Sequence, residues 1–211
     1  MADRVPLDFD QPARQLRSLL LGVDDDELAD PTPCDDWTVA GLLVHIIGFS
    51  AAFAQAARKL RGAPGIDGPP PRPDPATLAP HWRSRMPVLT EELAGAWRDP
   101  AAWTGTSRVG GVTLPAATAG AFAMNELVVH SWDLARATGQ DYAADPRILE
   151  SLIELLAQGP AEGTPGMFGP AVVIADESAL LDRVVSLAGR DPRWRPGRSR
   201  DLSARSTSVA D

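Results

Sequence analysis

Between residues 62 and 75 the chain carries six prolines and three glycines in fourteen positions. Proline lacks the amide hydrogen that a helix or central strand needs, and glycine loses the most freedom on ordering, so no regular element crosses this stretch. Any helix before it ends near residue 61, and any helix after it starts near residue 75. A connection of this length inside a compact fold asks for a role. A second Gly/Pro stretch at 159–170 divides the chain again.

What lies between the breaks is apolar at helical spacing. Leu16, Leu19 and Leu20 predict a helix over 11–22. Thr38 reads as an N-cap for a long helix over 39–61, with Val39, Leu42, Leu43, Ile46 and Ile47 as its stripe. A third helix is predicted over 75–98, interrupted in its pattern by Pro80 and Pro87. The segment 103–114 reads as irregular or a short β excursion around Gly110-Gly111. A fourth helix over 115–138 ends at Gly139, as a C-terminal cap would have it. Further helices are predicted over 145–158 and 178–188. Four main helices with long connections predict an all-α fold, a four-helix bundle with long crossover loops and a short C-terminal extension. One domain over 1–194 is expected, followed by a disordered tail over 195–211 that is polar and rich in Arg and Ser.

The bulk chemistry narrows the partners. The chain has 211 residues, 44% of them hydrophobic, enough for a core. Its formal charge of −8 repels phosphate backbones and argues against a nucleic-acid partner. Cys34 is the single cysteine, so no internal disulfide can form, and a reducing, cytoplasmic setting is expected. No signal peptide and no membrane span are read in the sequence. Lys59 is the one lysine among twenty basic residues, a bias typical of GC-rich genomes.

Of three histidines, two fall inside apolar helices. Glu126 precedes His130 by four positions, so carboxylate and imidazole share one helix face a turn apart. That pair alone also fits a buried histidine neutralised by a carboxylate. His45 shifts the balance. Gly41, Gly48 and Ala52 share its face, and three small residues imply open volume beside the imidazole, where a metal with an exchangeable ligand would fit. The alternative is close helix contact through small residues. Two histidines and one carboxylate form a three-ligand set with open positions, suited first to Zn2+ and also to Ni2+ or Fe2+. Asp133, three residues past His130, is the candidate to accept its second ring N–H. Pairing with Arg136 is the competing role. Cys34 reads as a buried structural cysteine and His81 as a surface residue. Trp37 and Trp132 read as core.

The run Pro31-Thr32-Pro33-Cys34-Asp35-Asp36-Trp37-Thr38-Val39, followed by Leu42-Leu43-Val44-His45, resembles the start of the mycothiol-dependent maleylpyruvate isomerase N-terminal domain. Glu126-Leu127-Val128-Val129-His130-Ser131-Trp132-Asp133-Leu134-Ala135 resembles that family's second metal motif. The resemblance implies a DinB-like metal protein from an actinobacterial host, with its ligands on His45, Glu126 and His130. The end of the chain, from Phe168-Gly169-Pro170 to Asp191-Pro192-Arg193-Trp194, is similar to a subfamily labelled only as metal-binding. The isomerase proper carries an additional C-terminal domain, for which the stretch after Gln158 is short.

Three functions follow as expectations. The first is a thiol-dependent transferase or isomerase, in which the metal activates mycothiol or a similar thiol toward an electrophilic substrate. The second is a metal-dependent hydrolase with Asp133 as the nameable base. The third is a non-catalytic metal- or ligand-binding accessory protein. Small molecules are the expected partners, and the chain is read as a monomer or homodimer. An exogenous ligand at the open position is expected because Cys34 lies before the helix start while His45 is roughly 9 Å inside the helix; that this ligand is a thiol is what the resemblance implies.

Overall fold

The computed structural model describes residues 6–34, 36–62, 65–164, 168–175 and 177–196. Four helices build the bundle: α1 (Asp10–Leu21), α2 (Val39–Ala57), α3 (Trp82–Arg98) and α4 (Ala116–Ala137). A two-stranded antiparallel hairpin, β1 (Thr106–Val109) and β2 (Val112–Pro115), leads into α4. Two further helices, α5 (Pro146–Leu156) and α6 (Leu180–Leu187), pack on each other, and α5 also packs on α4. The fold is all-α apart from the hairpin, as the sequence predicts.

Local chemistry sets the boundaries. The Thr38 side chain accepts from the Gly41 amide and starts α2 where expected. The helix stops at Ala57, earlier than residue 61, because Lys59 turns left-handed at φ 58° and Leu60 N–H reaches back to Gln55 O. The third helix begins at Trp82 rather than residue 75. The prolines account for this: Pro75–Thr77 makes a single 3-10 turn and Pro80 blocks its continuation. Gly110 and Gly111 both hold positive φ, 61° and 82°, the two-residue turn that right-twisted hairpin strands require.

Core packing centres on α2 and α4. Leu42, Leu43, Ile46, Met124, Leu127, Val128 and Leu134 are all at most 1% exposed, and burial of such a side chain stabilises by roughly 1.5–3 kcal/mol. Gly120 lets α4 approach Trp97 and Trp103, since a Cβ there would lie 2.8 and 2.6 Å from their rings. One sequence expectation needs correction. The 19-residue α2, with a mean hydropathy of 1.7, is long and apolar enough to cross a membrane. Here 67% of that window is buried inside the protein, between α3 and α4, as a core helix would be.

The 62–75 connection is not a free loop. Ile66 within it is fully buried. The Gly110 and Gly111 amides donate to Gly65 O and Ile66 O, fastening it to the hairpin turn. Asp67 accepts from Arg108 Nε at 2.9 Å and from the Gly62 amide at 2.6 Å. Of the predicted tail, only Arg195 and Pro196 fall within the described residues.

Candidate metal centre

α2 and α4 lie side by side, and this brings three predicted residues together across 81 positions of sequence. His45 Nε2 lies 2.9 Å from Glu126 Oε2, and His130 Nε2 lies 3.2 Å from the same oxygen. The imidazole centroids are 4.6 Å apart at 74°. Their three ligand atoms fall within 4.8 Å of one another. Donors bound to one tetrahedral ion at about 2.0–2.1 Å sit roughly 3.3 Å apart, so small shifts would seat an ion here. His45 and Glu126 keep side-chain exposures of 17% and 22%, whereas that of His130 is 6%. Solvent therefore reaches the cluster from the His45–Glu126 side.

Electrostatics separate the two histidines. Burial lowers the pKa of both. For His45 burial wins, helped by His130, and the pKa falls below its usual value. For His130 the bonds to Asp133 and Glu126 outweigh burial and raise it. Burial alone would raise the Glu126 pKa, but its bonds to His130 and His45 hold the carboxyl far below the usual range. An ionised carboxylate between two imidazoles is a donor set suited to a cation.

Asp133 is fully buried, and its Oδ2 accepts from His130 Nδ1 at 2.9 Å. The competing pairing with Arg136 does not form; that guanidinium donates to the carbonyls of Pro192 and Trp194. The second partner of Asp133 is Arg190, at 3.1 Å from Oδ2 and 3.4 Å from Oδ1. Sequence reading missed Arg190 because it lies 57 residues from Asp133, in a segment read as leading into the tail.

The volume argument for His45 holds only in part. A Cβ on Gly48 would meet nothing within 4 Å, so that side is open. Gly41 instead accommodates Pro75, 3.6 Å from such a Cβ, and Ala52 faces Gly65, whose Cβ would come within 3.0 Å. Two of the three small residues thus admit the Pro/Gly connection, which packs along the His45 helix. Trp37, read as core, is a wall of the site: its ring lies 4.7 Å from that of His45 and 5.9 Å from that of His130. Phe49 closes the other side at 5.6 and 6.0 Å. Trp132, by contrast, is core as expected, and His81 is exposed.

Cys34 is also placed differently from the expectation. The chain folds back before α2, with Pro31 bridged to Thr38 and the Thr32 hydroxyl bonded to the carbonyls of Cys34 and Trp37. Cys34 Sγ is 3.4 Å from Arg190 Nη2, and it groups with His130 and Asp133 within 4.8 Å. Its distance along the chain is thus no barrier. Among the described residues, however, the group holding Cys34 shares only His130 with the group holding His45 and Glu126.

The four helices, with the hairpin leading into the fourth, make an all-α bundle. The chain belongs to the mycothiol maleylpyruvate isomerase N-terminal domain family, whose pattern matches residues 9–135. Two uncharacterised proteins of Mycobacterium tuberculosis, from different strains, are each 30% identical to it over 182 residues, covering 83% of this chain and 92% of theirs. A crystal structure of a histidine-to-alanine mutant of the mycothiol-dependent maleylpyruvate isomerase is similar in fold, with TM-score 0.50, 19% identity, and coverage of 74% of this chain and 71% of that one. A second structure of that isomerase aligns at TM-score 0.48 and 20% identity, over 70% of this chain and 66% of that one.

Proposed function

We propose that this protein is a metal-dependent enzyme that uses a low-molecular-weight thiol, of the mycothiol type, to attack an electrophilic substrate in a transferase- or isomerase-like reaction. The observation that carries this reading is the convergence of His45 Nε2 and His130 Nε2 on one carboxylate oxygen, Glu126 Oε2, beside open space at Gly48. His45, Glu126 and His130 would hold a divalent ion, Zn2+ first, with Ni2+ or Fe2+ compatible. Such an ion supplies Lewis acidity and favours the thiolate over the thiol.

The residues themselves supply the rest. Glu126 and Asp133 carry one negative charge each and Arg190 one positive charge, so with both histidines neutral, as ligands must be, the pocket holds −1. A dication makes it +1, and one anionic ligand then restores neutrality, which a thiolate provides. Trp37 and Phe49 wall the cluster with apolar surface and limit water around it. Hydrolysis is less well supported. Its one nameable base, Asp133, is fully buried and engaged by both His130 and Arg190, so it has no path for taking a proton from a water. The family membership supports the thiol, and the single cysteine suits a reducing cytoplasm.

Co2+ titration tests the proposal. His45→Ala, Glu126→Ala and His130→Ala should each abolish stoichiometric Co2+ binding, and full binding by all three would remove the site. Adding mycothiol to the Co2+ protein should produce a sulfur-to-metal charge-transfer band in the near ultraviolet that persists in Cys34→Ser. No band at saturating thiol would reject the thiol reading.

A further inference from the structure

Asp133 has no exposed surface, yet it is ionised, and a buried carboxylate needs compensation. Two groups provide it. His130 Nδ1 donates to Oδ2 at 2.9 Å, and Arg190 Nη2 donates to the same oxygen at 3.1 Å while its Nε faces Oδ1 at 3.4 Å. The planar guanidinium thus grips the carboxylate along both oxygens and fixes the plane in which it meets the imidazole. Arg190 is itself only 8% exposed, and its Nη1 is anchored to Ala188 O at 2.7 Å.

The C-terminal segment delivers Arg190 to this point. Gly189 ends α6 at φ 85°, and a Cβ there would come within 2.9 Å of the Gly169 backbone, so the close approach and the turn both need glycine. The Arg190 amide closes the turn on Val185 O at 2.9 Å. Arg136 on α4 then holds the chain beyond it through the carbonyls of Pro192 and Trp194, at 3.3 and 2.9 Å.

We infer that Arg190 is a positioning residue of the metal site: through Asp133 it keeps the proton of His130 on Nδ1 and so presents the Nε2 lone pair to the point shared by His45 and Glu126. This rests on the metal reading above but adds a dependence of that site on a residue from the segment that follows α6. Without the guanidinium, Asp133 loses one of two partners and its fixed plane, and the imidazole loses the acceptor that selects its tautomer. Arg190 also donates to Cys34 Sγ at 3.4 Å, but its hold on the His130 ring runs through Asp133, so that effect should vanish when Asp133 no longer carries a charge.

A double-mutant cycle reads this directly. Co2+ affinity is measured for the parent protein, Arg190→Gln, Asp133→Asn and the double variant, with circular dichroism confirming the fold of each. Either single substitution should weaken Co2+ binding by about 10–100-fold, the range for outer-shell partners. The double variant should bind no worse than Asp133→Asn alone. If it instead shows the product of the two single losses, or if Arg190→Gln binds Co2+ like the parent, the inference is wrong. Should Arg190→Gln fail to fold, the comparison of Asp133→Asn with the charge-neutral double variant still decides. Long-range 1H–15N spectra of the metal-free protein, taken where His130 is neutral, give a second readout. The parent should show the Nδ1–H tautomer, and Arg190→Gln or the double variant a mixture with Nε2–H; an unchanged tautomer overturns the inference. A parent protein that takes up no Co2+ would fail the metal reading, while the tautomer comparison would still judge Arg190.

Discussion

His130 stands between the buried Asp133 and the partly exposed Glu126, and under the proposed metal reading its protonation is tied to metal uptake. Burial works against its charge, but Asp133 and Glu126 outweigh burial and raise its pKa above the ordinary value of 6.5. In the metal-free protein the ring thus keeps its second proton to higher pH than an ordinary imidazole, and an ion has to displace it. The sign follows: Co2+ affinity should fall as pH drops through the raised His130 range, starting above 6.5, by about tenfold per pH unit for the one proton displaced. His45, whose pKa is lowered, adds proton competition only at more acid pH. Co2+ titrations across neutral pH check this, and a flat affinity there would show that His130 is already neutral. Of these residues, those at helical spacing were legible in sequence. Glu126 and His130 are four apart and Asp133 three further, so a helix alone puts them together. Arg190 and Cys34 were not legible as neighbours of His130, because their placement depends on how two non-helical segments turn, and no spacing rule encodes that.

At the level of elements, the helices were readable and the connections were not. The apolar stripes of α1 and α2 follow the 3.6-residue period, and helix boundaries move by more than two residues only in α2, where Lys59 turns left-handed, and in α3, where prolines intervene. The 62–75 connection shows nothing in its own composition beyond the absence of regular structure. Its order comes from partners elsewhere: the hairpin turn at Gly110-Gly111, Arg108, and the glycine and alanine faces of α2. Ile66 is its apolar anchor, with no exposed surface. Ile66→Ala should therefore cost what a core substitution costs, about 2–5 kcal/mol in urea denaturation. A loss of a few tenths would mean that the connection merely lies on the bundle. Because it packs along the His45 helix, the same substitution should also weaken Co2+ binding, whereas a loop remote from the site would leave binding unchanged.

For the molecule as a whole, the all-α bundle was legible, but the part played by the C-terminal segment was not. The fourfold repetition of apolar helical stripes, separated by breakers, specifies a bundle with little ambiguity. In sequence the C-terminal segment reads as a short helix leading into a tail; in the fold it carries the guanidinium behind Asp133 and is fastened to α4 by Arg136. The separation of 81 residues between His45 and Glu126 has a kinetic meaning as well. The unfolded chain holds no preformed pair of ligands at that distance, and closing so long a loop around an ion is entropically unfavourable. On the proposed metal reading, an ion would enter only after α2 and α4 have docked, late on the folding route. Interactions absent from the folding transition state act on the way out, not on the way in. Saturating Zn2+ or Co2+ should thus slow unfolding in stopped-flow measurements and leave the refolding rate unchanged. A refolding rate that rises with metal concentration would place the closure of the two helices before the barrier, with the ion as part of the nucleus.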